Sequence, residues 1–266
     1  MKKTASVFLS VGLLLSIFTG SASAAEGSNV NKEKRLITTI QISLNDHQRT
    51  ATLSDSQQAE LSVFEENGKK IYEVKGAKTP DEKRRAFEIL NNYMEKGTVQ
   101  QATVTVNKTG YDFYGNEYGY SSANRSAMGY TWAKYNAGKG FANNSNVYDK
   151  TWGGQSASWT GSNNPSYIKL LQSVTVNVSN ASSTLTIGWP PSYSVTPTRT
   201  SSTASWSSDS TSGVTVLGAE HQTTQINRDD VQRGKITSLL YSDSADVKVG
   251  STIYRPTNSV RFTNGL

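Results

Sequence analysis

From Val174 onward several short segments alternate apolar and polar side chains at a period of two, the signature of half-buried extended strands. Val174, Val176 and Val178 alternate with Thr175 and Asn177. Leu185, Ile187 and Trp189 do the same after an Asn180-Ala181-Ser182 turn. Segments 213–217, 236–241, 246–254 and 259–263 continue the pattern at spacings suited to an antiparallel sandwich or barrel. The expected fold class is therefore mainly β, an antiparallel β-sandwich or barrel-like body.

A small α+β unit with one helix, at about 80–96, is expected to precede that body. Leu36, Ile40, Ile42 and Leu44 fall on one side of an extended segment. Asn67-Gly68 separates two further apolar runs, and this pair readily takes the positive φ angles of a type I′ hairpin turn. Thr79-Pro80-Asp81-Glu82 reads as a helix start, with an N-cap, a proline at the first helical position and two acids at the positive end of the dipole. Phe87, Leu90 and Met94 recur at helical spacing until Gly97 supplies the stop. A further strand is expected over 99–106.

Charge divides the chain at the same place. Residues 25–97 hold 12 acidic and 12 basic side chains, whereas 98–266 hold 9 and 13 in more than twice the length. The expected organisation is a signal peptide over 1–24, a small charged unit over 25–97 that is either packed on the body or removed as a prosegment, and an aromatic, Ser/Thr-rich body over 98–266. Residues 111–167 interleave tyrosine and tryptophan with Gly, Asn and Ser without sustained periodicity, so short strands and ordered loops are expected there.

The N-terminus indicates where such a chain works. Lys2 and Lys3 form a basic start, Val7 to Phe18 a short apolar core, and Ala22-Ser23-Ala24 a peptidase recognition pattern before Ala25. The expectation is a secreted, extracellular protein with no stable membrane anchor after cleavage. With no cysteine, it must be held by burial and hydrogen bonding, which suits export from a Gram-positive bacterium. The formal charge of +6 falls to +4 without Lys2 and Lys3, and the bases of the second part are scattered, so no nucleic-acid partner is expected.

No Gly-x-Ser-x-Gly elbow, His-Glu-x-x-His helix, phosphate loop or cysteine nucleophile occurs. The two histidines, His47 and His221, each adjoin an acid in sequence, but strand neighbours point to opposite faces, so adjacency makes no dyad. Asp112 and Glu117 are the candidate catalytic carboxylates, because they lie in the aromatic segment where a sugar could stack. Asp229-Asp230 reads as a turn before Gly234, and the Asp243 and Asp246 spacing lacks a calcium loop, so neither metal nor other cofactor is expected. Trp132, Trp152 and Trp159 are the candidate ligand-binding residues, since indole faces suit the C–H faces of sugars. The leading expectation is a non-catalytic protein binding cell-wall or other extracellular glycan. A β-pore-forming or membrane-active protein and an extracellular hydrolase are the alternatives.

Overall fold

The computed structural model describes residues 34–44, 58–97, 113, 115–138, 147–179, 187–188, 193–198 and 200–264. The signal-peptide segment 1–24, the 99–106 strand, His47 and Asp112 lie outside them.

Elements begin with β1 (Arg35–Ser43), β2 (Gln58–Glu66) and β3 (Lys69–Lys75), followed by helix α1 (Pro80–Gly97). Asn67 and Gly68 take φ angles of 52° and 72° between β2 and β3, the two left-handed residues of the expected hairpin. At the start of α1, Glu82 N–H donates to Thr79 Oγ1 at 3.2 Å while Thr79 N–H donates to Glu82 Oε2 at 3.1 Å, a reciprocal capping box. Thr79→Ala is expected to cost about 1 kcal/mol, read as a lowered urea midpoint with unchanged slope.

Three long strands follow, β4 (Gly115–Asn124), β5 (Ala127–Asn136) and β6 (Tyr148–Trp159), then β7 (Tyr167–Val178) and the shorter β8 (Ile187–Gly188), β9 (Ser194–Pro197) and β10 (Ser201–Ser207). The chain continues through β11 (Val216–Asn227), helix α2 (Arg228–Gln232), β12 (Ile236–Val249), β13 (Thr252–Tyr254) and β14 (Thr257–Thr263). Asp229 and Asp230 occupy the first turn of α2, and Asn227 caps it by accepting from Asp230 N–H.

These strands form two antiparallel sheets. In sheet 1 the order is β1-β2-β3-β11-β6-β5-β4, with β8 also on β11; in sheet 2 it is β13-β12-β7-β10-β9, with β14 also on β12. The body is a sandwich, and α1 covers the outer face of sheet 1. Ile71, Leu217, Ala219, Ile168, Leu170 and Val247 fill one part of the seam between the sheets. Val174, Val176, Leu239, Tyr241 and Phe262 fill another. On the opposite side of sheet 1, Phe87, Leu90 and Met94 of α1 are buried against Leu61, Val74 and Val216, each such side chain contributing about 1.5–3 kcal/mol of burial.

Glycines let α1 lie close. A Cβ on Gly154 would stand 2.8 Å from Met94 Cε, and one on Gly218 2.7 Å from Met94 Sδ. Lys83 ties the first turns of α1 to the loop after β6, its Nζ donating to the carbonyls of Gly161 at 2.7 Å and Asn163 at 3.2 Å.

One expectation changes. Segment 111–167 carries strands of 10, 10 and 12 residues, not short ones. Much of β5 and β6 is covered on both faces, which erases the period-two signature of a half-buried strand. The drop in charge near residue 97 does not mark a break in the sheet, because β3 pairs with β11 and α1 packs on β6 and β11. The described residues all belong to one compact unit, Glu33–Leu266.

Candidate functional site

Strand register decides which aromatic side chains reach the surface. In the β4–β5 hairpin, Tyr118 faces Trp132, Tyr120 faces Tyr130 and Ser122 faces Met128, so these six project on the α1 side. The other side carries Gly119 and Gly129, where a Cβ would press within 3.0–3.4 Å of Pro256, Asn258 and Ser259 in and beside β14. Small residues face the neighbouring sheet, and large rings face the helix.

Because α1 packs on β6, β11 and β3, the β4–β5 hairpin stands beside it with a groove of about 420 Å³ between them. Phe87, Tyr120, Met128 and Tyr130 supply its apolar surface, and Arg84, Glu88, Asn91 and Asn92 its polar surface. Tyr120 and Tyr118 are 59% and 49% exposed. Tyr120 meets Phe87 edge to face at 6.2 Å, and Tyr118 stacks on Tyr130 at 6.4 Å. Tyr118 Oη donates to Glu95 Oε1 at 2.9 Å; partial burial and that carboxylate push its hydroxyl up to about 12, so it remains a donor at neutral pH. Arg84 pairs with Asp81 at 3.0 Å and Arg85 with Glu88 at 3.3 Å, which leaves the rim charge-balanced. Ser156 Oγ donates to Asn91 Oδ1 and holds that amide in place.

The tryptophans sit elsewhere. Trp132 is 0% exposed and Trp152 and Trp159 are 8% exposed. Their rings are packed in the interior, with Trp159 stacked on Tyr254 at 5.1 Å, and none offers an open stacking face. Glu117 is exposed on β4 but projects from the face opposite Tyr118 and Tyr120. The structure does not bring it into the groove.

A second constellation lies in the seam between the sheets, built from residues that adjacency in sequence does not connect. His221 on β11 shares a 2.8 Å hydrogen bond between its Nε2 and Asp243 Oδ2 on β12. Its Nδ1 lies 3.4 Å from Tyr193 Oη, which donates to Gln172 Oε1 on β7 at 3.1 Å. Lys69 Nζ on β3 donates to the same Gln172 oxygen at 2.5 Å and to Tyr193 Oη at 3.3 Å. Tyr241 stands edge-on to His221 at 4.9 Å, and its hydroxyl bonds Thr151 Oγ1. All seven side chains are buried. Glu220, the sequence neighbour of His221, accepts from Tyr72 Oη at 2.6 Å. The carboxylate partner of His221 is instead 22 residues further along the chain, on the other sheet. Asp246 is bridged to Arg255 at 2.6 Å. Among the described residues, no group of three or more His, Cys, Asp or Glu side chains could hold a metal ion, and no helix is long and apolar enough to cross a membrane.

No protein-family model, curated protein or solved structure matches the chain.

Proposed function

We propose that the chain is an exported, non-catalytic binding protein acting at or outside the cell surface, and that the groove between α1 and the β4–β5 hairpin holds an uncharged stretch of extracellular glycan. The observation that carries this reading is the exposed Tyr120 ring in the groove beside the amides of Asn91 and Asn92, with exposed Tyr118 on the same face of β4. Tyrosine faces cover the C–H side of a sugar ring, and amides bridge its hydroxyls. A rim whose charges are already matched, Arg84 with Asp81 and Glu88 with Arg85, favours a neutral ligand over an anionic polymer.

Retention of the purified protein on immobilised neutral wall polysaccharides, competed by soluble fragments, tests the reading. Tyr120→Ala is expected to weaken retention about 5- to 150-fold, the equivalent of about 1–3 kcal/mol of lost stacking by analogy with bases on aromatic side chains, with circular dichroism unchanged. Full retention by both Tyr120→Ala and Asn92→Ala overturns the groove as the site.

One observation favours a second reading, a membrane-active protein. Strand β7 alternates half-buried and buried positions over nearly all of its 12 residues and pairs along its length with the 14-residue β12, so both reach the ~9–11 residues that a membrane strand needs. Dye release from liposomes by the intact protein is the result that favours this reading over glycan binding.

A further inference from the structure

Lys69 is the residue whose position demands an explanation. It is buried, and its side-chain nitrogen contacts an amide oxygen, a phenol and the face of Trp206, whose ring centroid lies 3.4 Å away. No carboxylate among the described residues lies within ion-pair distance of it. A lysine held this way loses its hydration without gaining a salt bridge, a costly arrangement when an apolar residue of similar size could occupy the seam.

The groups that enclose it come from both sheets. Its own strand β3, and β11 with His221 and Glu220, belong to sheet 1; β7 with Gln172, β10 with Trp206 and β12 with Asp243 and Tyr241 belong to sheet 2. Glu66 lies at the end of β2, and Tyr193 immediately precedes β9. The cover over Lys69 is thus Tyr193 and Trp206, carried by the β9–β10 edge of sheet 2, where all four β9 residues are exposed and Trp206 is half-buried.

We propose that this cluster is a proton-operated latch: swinging the β9–β10 edge away from sheet 1 hydrates Lys69 and takes up a proton there, so falling pH loosens the seam. The direction follows from the proton balance. Burial lowers Lys69 from the ordinary lysine value of 10.5 to about 6, against the opposing pull of Asp243, Glu66 and Glu220. Between those two values the open form binds one proton more than the closed form, so opening becomes easier as pH falls and levels off below about 6. Above 10.5 both forms are neutral at this position, and the closed form carries no penalty from it.

The natural absence of cysteine makes the test direct. Ala204 is buried on the inner side of β10, two residues from Trp206, and Ala204→Cys places one thiol beneath the cover. Its rate of labelling by a pyridyl disulfide, normalised to the urea-unfolded chain at each pH, reports opening. The rate is expected to rise about tenfold for each unit of pH lowered from 9 to 7 and to flatten below 6. Adding Lys69→Met, with Lys69→Gln as a second variant, is expected to abolish that slope while far-ultraviolet circular dichroism is retained. A flat profile in the Ala204→Cys chain with Lys69 intact overturns the latch without need of any Lys69 variant. Persistence of the slope in either folded Lys69 variant overturns it equally.

Discussion

Trp132→Ala is expected to destabilise the fold by about 3–5 kcal/mol, read as a lowered urea midpoint or melting temperature, because it empties the largest fully buried side chain in the structure. That ring lies against Gly154 and beneath Lys134, whose Nζ stands 5.2 Å from its centroid. Trp132→Phe serves as the control. The indole Nε1–H of Trp132 has no hydrogen-bond partner among the described residues, so replacing it forfeits shape and area but no bond. Phenylalanine is therefore expected to recover most of the loss. If Trp132→Ala instead melts with the wild type while glycan retention falls, the ring acts as a ligand contact and not as a core side chain.

Gly153→Ala is the second large effect expected, at the upper end of the about 1–3 kcal/mol that overpacking costs, or above it. Gly153 lies in β6 opposite Ala133 of β5 on one side and His221 of β11 on the other. A Cβ there would overlap the carbonyl oxygen of Trp132 and stand 3.1 Å from Ala133 Cα, both backbone atoms that cannot rotate away. Gly218→Ala makes the useful contrast. Its nearest obstacles are Met94 Sδ at 2.7 Å and Leu90 Cδ2 at 3.1 Å, side-chain atoms that can move, so a smaller loss is expected. Equal losses at the two positions would show that strain in the sheet, not the identity of the obstructing atom, governs both.

The elements legible in the sequence were those whose signals are local. Asn67-Gly68 sets a turn by its own conformational preference, Thr79 and Glu82 cap a helix within one turn, and Phe87, Leu90 and Met94 need only helical spacing to form a stripe. Strands β7, β12 and β14 were legible because one face of each is more open than the other. Strands β5 and β6 were not, since a helix on one side and a sheet on the other suppress the alternation. At β1, Leu36 was assigned to the inward side, but the register shifts between Leu36 and Thr38 and leaves it 53% exposed.

For the site, the aromatic segment was visible and its exposed face was not. Composition marks the stretch from Tyr118 to Trp159 as rich in rings, but only cross-strand register separates Tyr120, in the groove, from Trp132, in the core. Choosing the largest rings selected the ones that bury the most area. The Lys69, Gln172, Tyr193, His221 and Asp243 cluster left no trace, because Lys69 lies 103 residues from Gln172 and 124 from Tyr193 and no spacing rule links such positions.

The pairing of β3 with β11 fixes an order of events for the newly made chain. Val74 meets Val216, so the hairpin formed by the first third of the polypeptide cannot complete its sheet until the final quarter has been synthesised. Before then the far edge of β3 has no strand beside it, and Phe87, Leu90 and Met94 have lost part of the floor on which they rest. Closing a contact over so long a span is slow, so completion of the central sheet falls late. That delay leaves the central sheet with an open edge until the last quarter of the polypeptide has been made.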